Sequence, residues 1–243
     1  MTRPALILHG GAGARPERNY DREIDNMRIV VEAMKLRLEA GASALDVAVE
    51  ATVMLEDAGL YVAGRGASPN LAGAYELAIG DEAAWFTHAG KGEDNHPPGT
   101  APDVLAGALA HGTVGCCVLD SAGRLAAATS TAGVFGKMPG RVGDTPIPGA
   151  GTWADGHVAV SGTGQGEYFI RTAACAQVSW RVAAGAGLED ATRAVITEIG
   201  SLGGDGGLIA LDRDGRIAHP YNSQGMKRAW LTTDGEIGVE VFG

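Results

Sequence analysis

Glycine separates short apolar runs along most of this chain. It accounts for 38 of 243 residues, well above the usual share of ~7%. The glycines are neither periodic nor gathered into one linker, and clusters such as residues 203 to 207 directly precede apolar runs. Glycine permits backbone angles that other residues avoid. The pattern therefore predicts many tight turns between short strands, and backbone that approaches a ligand closely.

Two early stretches have the three- and four-residue apolar spacing that is typical of amphipathic helices. The first covers residues 24 to 38 and is ended by Gly41. The second begins at Ser43, which with Asp46 resembles a capping box, and runs to about Leu55. Further helices are predicted over residues 167 to 184 and 188 to 199, with a helical turn over residues 104 to 110.

Strands are predicted from short apolar runs bounded by turn residues. They cover residues 5–8, 75–79, 113–119, 124–128, 157–161, 208–211, 216–219 and 235–242. Several follow each other through short turns, and the helices come in pairs. This order argues against an alternating βαβ sheet. It predicts an α/β (α+β) fold with antiparallel sheets between helix layers.

The charge and cysteine content exclude several classes of function. The formal net charge is -10 and no block of Lys or Arg occurs, whereas a nucleic-acid-binding face needs clustered positive charge. No apolar run is long enough to cross a membrane, and no charged-then-apolar leader is evident. Cys116, Cys117 and Cys175 fit neither a metal site nor a disulfide framework. We interpret them as small core residues of a cytoplasmic protein.

Residues 111 to 119 combine a Gly-Thr pair with a predicted buried strand. Thr113 follows Gly112 and opens a run of small and apolar residues. One interpretation is that threonine simply favours strands. The other is that the peptide bond before Thr113 is cut, so that the freed α-amino group acts as general base to the hydroxyl of the same residue. The polar, proline-containing stretch upstream suits a linker that must move after such a cut.

The first strand runs into His9 and a cluster of glycines at residues 10 to 13. Such a cluster can hold an anion, but the Lys-Ser/Thr of a phosphate-binding loop does not follow. A tight turn packed on another element is the favoured interpretation. We interpret His9 as a buried, hydrogen-bonded structural histidine rather than a base.

Six motifs together resemble the plant-type asparaginases, or isoaspartyl peptidases, which are N-terminal nucleophile hydrolases. The motifs occur in the same order and near the same spacing as in that family, and residues 5 to 13 are also similar to it. They are T-V-G-x-x-x-L-D at 113 to 120, T-S-T-x-G at 129 to 133, G-R-V-G-D-T-P at 140 to 146, G-A-G-T at 149 to 152, G-T-G-x-G-E at 162 to 167 and G-G-D-G-G-L-I at 203 to 209.

The resemblance implies a four-layer αββα sandwich that cuts itself between Gly112 and Thr113. Residues 1–112 would form the first subunit segment, with a mobile linker at about 88–112. Residues 113–243 would form the second, and the two would make one domain. The implied activity is hydrolysis of the side-chain amide of L-asparagine, of β-aspartyl peptides, or of both. The implied assembly is a dimer of processed heterodimers. No cofactor is implied for catalysis.

The resemblance also assigns catalytic roles. Thr113 would be the nucleophile, and a free α-amine with a pKa near 8 suits it as base. Thr131 would orient the Thr113 hydroxyl. Thr163 and the Gly164 N–H would bind the oxyanion of the tetrahedral intermediate.

Two charges would select an amino-acid head group. Arg141 would bind the substrate α-carboxylate, and Asp144 would bind the α-ammonium, with Gly166 completing the substrate-binding set. The alternative for Arg141 and Asp144 is a plain local ion pair, since most exposed pairs have a structural role or none. A structural sodium ion is a further implication of the resemblance. Its ligands would be the backbone carbonyls of Leu55, Glu56, Ala58, Tyr61, Ala63 and Arg65.

Two departures from the family pattern bear on activity. Val62 stands where the family has the asparagine of its F-N-A-G motif, which helps to line the oxyanion site. The first segment is also short for the family. The Val62 side chain has no hydrogen-bond donor, which favours an alternative function. In it, the chain is a relative that does not cut itself and acts as a binding or scaffolding protein. An amidohydrolase of different acyl specificity is the other alternative.

Overall fold

The computed structural model of this chain describes residues 2–66, 112–134, 137 and 140–243. The predicted strand at 75–79, the helical turn at 104–110 and the linker as far as residue 111 lie outside the described residues. The strands are β1 (Ala5–Ala12), β2 (Val114–Leu119), β3 (Leu125–Ser130), β4 (Thr152–Ala154), β5 (Val158–Gly164), β6 (Gly206–Asp212), β7 (Ile217–Ala218), β8 (Met226–Leu231) and β9 (Ile237–Glu240). The helices are α1 (Asp21–Glu39), α2 (Ala44–Asp57), α3 (Gly166–Thr172), α4 (Ala174–Ala183) and α5 (Leu188–Ser201), with a 3₁₀ turn at Gly64–Gly66.

The described strands form two antiparallel sheets. One has the order β3-β2-β1-β8-β9, and the other has the order β4-β5-β6-β7. The predicted combination of antiparallel sheets with paired helices is confirmed. Short turns place consecutive strands beside each other in a sheet. Residues 120 to 123, for example, join β2 to β3 as a hairpin.

Buried apolar side chains form three main clusters. One joins α1 and α2 to the five-stranded sheet, and includes Met27 and Leu55. A second joins α4 and α5 to the four-stranded sheet. The third, with Ile7 and Ile209, lies between the two sheets. Strand alternation produces this division, because successive side chains of β1 point to opposite faces.

The helix predictions hold for α1, α2 and α5, but the predicted helix over residues 167 to 184 is wrong as one element. It breaks at Ala173, whose φ of 46° and ψ of 49° are left-handed. The first N–H groups of α4 bond to another segment: Cys175 N donates to Ala150 O, and Ala176 N donates to Gly149 O. These partners are distant in sequence, so helical periodicity cannot reveal the break.

Ser43 caps α2 as predicted, since its hydroxyl accepts the Asp46 N–H, and Gly41 follows the end of α1 with a φ of +83°. Among the strands, β1 extends through the glycines to Ala12 with an irregular register after His9. The predicted strands 216–219 and 235–242 shorten to β7 and β9. Strands β4 and β8 are absent from the sequence prediction.

All three cysteines are free and buried, which confirms their interpretation as core residues. Burial raises the pKa of the Cys116 thiol well above its usual range. Among the described residues, no helix is both long enough and apolar enough to cross a membrane.

Candidate active site

Thr113 lies at the start of β2, directly beside Thr131 at the end of β3. The register of the hairpin pairs Val114 with Ser130. Thr113, which precedes Val114, and Thr131, which follows Ser130, therefore lie opposite each other. The Thr113 hydroxyl donates a hydrogen bond of 3.1 Å to Thr131 Oγ1, and Gly133 N–H donates to the same oxygen at 3.0 Å. Thr113 is only 7% exposed. The Thr113 hydroxyl is thus oriented within an enclosed site.

Gly112 is buried in close contact with Val62. A β-carbon built on Gly112 would lie 2.3 Å from Val62 N and 2.5 Å from Val62 Cγ2. Any larger residue would therefore clash with the backbone. The Val62 carbonyl accepts the Ala132 N–H at 2.9 Å, which joins this loop to the segment that carries Thr131. The position that departs from the family motif therefore borders the predicted cleavage site.

Thr163 and Gly164 lie at the end of β5, in the other sheet. Thr163 is 1% exposed, and its hydroxyl oxygen accepts the Ala12 N–H at 3.1 Å. Its own hydrogen can therefore be donated to another acceptor. Gly164 pairs with Gly206, and a β-carbon on Gly164 would lie 2.5 Å from Asp205 O. Glycine is required there by the closeness of two strands.

Arg141 lies in the loop between β3 and β4. Its Nε donates to Glu167 Oε1 at 2.9 Å, and its side chain is 15% exposed against 60% for Glu167. Its Nη1 lies close to two glycines: β-carbons built on Gly133 and Gly143 would be 3.2 and 3.1 Å away. Gly133 also bonds to Thr131, so the guanidinium lies near the threonine pair.

Asp144 is 6% exposed, and two glycines enclose its carboxylate. A β-carbon on Gly166 would lie 2.5 Å from Oδ1, and one on Gly151 would lie 2.8 Å from Oδ2. The structure thus brings two of the predicted substrate-binding residues, Asp144 and Gly166, into direct contact. Glu167, the next residue, is the partner of Arg141. Glu167 is the last residue of the G-T-G-x-G-E motif, but the resemblance gives it no role, and only the structure shows its bond to Arg141.

The loop that carries the predicted sodium ligands runs from the end of α2 to the 3₁₀ turn. It folds back on itself: a β-carbon on Gly64 would lie 2.9 Å from Glu56 O, and the Tyr61 carbonyl packs directly against Gly66. Ala63 O also accepts the Gly66 N–H at 3.1 Å. Backbone carbonyls concentrated in one tight loop are a donor set that suits a hard cation. The donors of this loop are thus of the type that a hard cation takes, and the sodium ion itself stays a prediction.

The Glu56 side chain also attaches this loop to the site. Its carboxylate accepts a hydrogen bond from the Ser130 hydroxyl, and Ser130 directly precedes Thr131. The loop with Val62 is therefore held against the end of β3 by a side-chain contact as well as by the Val62 carbonyl.

A family model described as asparaginase matches residues 2–80 and 82–240 of this chain. The chain belongs to the asparaginase family. This confirms the resemblance drawn from the six motifs.

The chain is also similar along most of its length to curated relatives. It is 36% identical to the isoaspartyl peptidase of Salmonella typhimurium, over 95% of this chain and 96% of that protein. It is 34% identical to the isoaspartyl peptidase of Escherichia coli, over 95% of this chain and 93% of that protein. A plant-type L-asparaginase of Pyrobaculum calidifontis is 41% identical over 53% of this chain and 44% of its own length.

The alignments with the two bacterial isoaspartyl peptidases extend over 299 and 300 positions, whereas this chain has 243 residues. Both relatives therefore contain residues that this chain lacks. The expectation of a short first segment stays a prediction.

Proposed function

We propose that this chain is an autoprocessed threonine amidohydrolase that cleaves the side-chain amide of L-asparagine and of β-aspartyl peptides. Family membership makes it an amide-bond hydrolase. The observation that carries the finer proposal is the contact between Thr113 and Thr131, directly after a buried glycine. The three core clusters support a four-layer αββα sandwich, in which each layer boundary is apolar.

Processing would use the same nucleophile as turnover. The Thr113 oxygen attacks the Gly112 carbonyl carbon, and the bond from that carbon to the Thr113 nitrogen breaks as the nitrogen takes a proton. Water then hydrolyses the resulting ester, which leaves a Gly112 carboxylate and a free Thr113 amine and hydroxyl. The product amine is the base that turnover requires, since its pKa is about 8.

In turnover, the Thr113 amine accepts the proton of its own hydroxyl while the oxygen attacks the side-chain amide carbon of the substrate. The Thr163 hydroxyl and the Gly164 N–H would stabilise the oxyanion. The protonated amine then supplies the leaving ammonia or amine with a proton. Water attacks the ester by the reverse of these steps, and it releases aspartate and the free threonine.

Substrate selection would rest on Arg141 and Asp144. Glu167 bonds the Arg141 Nε, which leaves the Nη groups for the substrate α-carboxylate. The enclosed Asp144 carboxylate would bind the α-ammonium. We further propose that a structural sodium ion holds the loop that carries Val62. The proposed assembly is a dimer of processed heterodimers in the cytoplasm.

The second candidate function is a non-processing, catalytically impaired relative with a binding or scaffolding role. Val62 favours it, since valine provides no donor to an oxyanion. An amidohydrolase of different acyl specificity is the third candidate. The packing of Val62 on Gly112 would then shape the acyl site.

A substrate panel with Thr113→Ala separates these candidates. Ammonia or amine release is measured for asparagine, a β-aspartyl dipeptide and glutamine. The proposal predicts two fragments on a denaturing gel, turnover of an aspartyl substrate, and neither property in Thr113→Ala. A persistent single band without turnover supports the scaffold, and a preference for glutamine supports a different acyl specificity.

A further inference from the structure

His9 makes two buried hydrogen bonds that link the candidate nucleophile to the opposite sheet. Its Nδ1 lies 3.0 Å from the Thr113 carbonyl oxygen, and its Nε2 lies 2.9 Å from Ser161 Oγ on β5. The side chain is fully buried. Ser161 is two residues before Thr163, so one side chain contacts both the nucleophile's backbone and the strand that carries the candidate oxyanion donor.

The chain leaves space for this side chain at one position of β2. His9 is paired with Gly115 in the register of β1 and β2. A β-carbon on Gly115 would lie 2.1 Å from Ser161 Oγ and 2.6 Å from His9 Nε2. The contact between His9 and Ser161 thus occupies the volume that any other residue at 115 would need. Glycine at 115 in the T-V-G motif is explained by that contact.

The chemistry of the partners fixes the proton positions. Burial lowers the pKa of His9 to about 3; it outweighs the hydrogen bond with Thr113, which raises the pKa, and Lys227 adds a smaller lowering. The ring is therefore neutral near pH 7. Since a carbonyl can only accept, Nδ1 carries the hydrogen and donates to Thr113 O. Nε2 then accepts from the Ser161 hydroxyl, which accepts in turn from Thr129 at 2.7 Å.

We propose that His9 is a positioning residue whose Nδ1 bond to Thr113 O sets the orientation of Thr113, and so adjusts the turnover rate beyond the contribution of His9 to folding. The inference rests on the proposed function. The carbonyl that His9 holds is bonded to the α-carbon, which carries the candidate amine directly and the hydroxyl through the β-carbon. Three residues further along the same strand, Ala12 N–H bonds the Thr163 hydroxyl. Strand β1 therefore makes contacts to both candidate catalytic threonines.

Two substitutions of His9 test this because each keeps one bond. In His9→Asn the amide nitrogen takes the place of Nδ1 and keeps the donor to Thr113 O, but the contact with Ser161 is lost. In His9→Gln the longer amide reaches Ser161 and loses the contact with Thr113 O. Each variant thus loses one buried hydrogen bond. The two are matched because both replace the imidazole ring by a side-chain amide.

The variants are compared as purified full-length chains for processing, thermal stability, kcat and KM. His9→Gln is expected to lose about 10²-fold in kcat, because misplacement of a reacting group by about 1 Å costs that much. His9→Asn is expected to keep kcat within about tenfold of the native chain. Melting temperatures should be lowered by similar amounts in both, and KM should change little because Arg141 and Asp144 are untouched.

A purely structural role predicts that kcat follows melting temperature. The proposal is overturned if the two variants have equal kcat at equal stability, or if both are as active as the native chain. Should His9→Gln fail to fold, His9→Leu replaces it as the variant without the donor to Thr113 O, and its control is Ser161→Ala. That variant keeps the Nδ1 bond, so a loss of about 10²-fold there would also overturn the proposal. Turnover by Thr113→Ala would instead refute the proposed function itself.

Discussion

Replacing Thr131 by valine tests the central contact of the site. Valine has nearly the same shape but no hydroxyl, so it removes the acceptor of both the Thr113 hydroxyl at 3.1 Å and the Gly133 N–H at 3.0 Å. A neutral hydrogen bond contributes about 0.5–1.5 kcal/mol net, and one to a charged group contributes about 1.5–3 kcal/mol. Once the Thr113 hydroxyl has given its proton to the base, the Thr131 hydroxyl can rotate and donate to the negatively charged Thr113 oxygen, so the upper range applies to that bond.

We therefore expect kcat of Thr131→Val to fall by about 10- to 100-fold, which corresponds to about 1.4–2.8 kcal/mol of barrier. KM should change little, since the residues proposed to bind the substrate head group remain. The loss of the bond from Gly133 N–H should lower the free energy of unfolding by about 1 kcal/mol. Steady-state kinetics of processed protein and urea denaturation measure the two effects separately.

Thr192→Val is the matched control. Thr192 is a fully buried threonine, whereas Thr131 is half-buried, and the Thr192 hydroxyl donates to the carbonyls of Leu188 and Glu189 within α5. This substitution should lower stability by about as much and leave kcat at the native value. The interpretation of Thr131 is refuted if its valine variant keeps native kcat, or if kcat falls equally in both variants.

Three further predictions concern the loop at the cleavage site and two buried charges. Val62→Asn places an amide donor beside Gly112 and should raise kcat by at least about tenfold at similar KM; unchanged kinetics would exclude position 62 from the oxyanion site. Burial lowers the pKa of Lys227 to about 8 from 10.5, so between these pH values the unfolded chain binds a proton that the folded protein does not, and stability should rise with pH by up to about 3 kcal/mol. In urea titrations this rise should be missing from Lys227→Met, and its persistence would refute the assignment. Burial disfavours the Asp120 carboxylate, but hydrogen bonds from Arg124, Ala44 and Ala122 outweigh it and hold its pKa below 3.8. Its stabilisation is present above that pH and lost as pH falls, so Asp120→Asn should cost about 1–3 kcal/mol at pH 7 and little at low pH, while kcat stays native.

The parts of the fold that depend on local sequence could be predicted. The periodic apolar residues of α1 and the Ser43 cap of α2 are decided within a few residues of the chain. Strand β8 was missed because Lys227 and Arg228 interrupt its apolar pattern. Both are buried, with Lys227 near the Tyr20 ring and Arg228 paired with Glu240. Such partners lie far away in sequence, and no local rule supplies them.

The candidate site shows the same division. The motifs gave its residue types, and the β2–β3 register brings Thr113 and Thr131 together as the hairpin prediction allowed. The bond from Arg141 to Glu167 and the bonds of His9 could not be predicted from spacing. The partners are distant in sequence, and the bond from His9 to Ser161 forms only when the two sheets pack. His9 was correctly expected to be buried and hydrogen-bonded, but its partners required the structure.

Mass spectrometry of active protein under denaturing conditions tests the central claim most directly. The account predicts two masses, one for residues 1–112 and one for a fragment that begins at Thr113, with turnover rising in proportion to the processed fraction. Fully active protein that contains only the intact chain would contradict it, because the Thr113 amine would then be held in a peptide bond and could not act as the base.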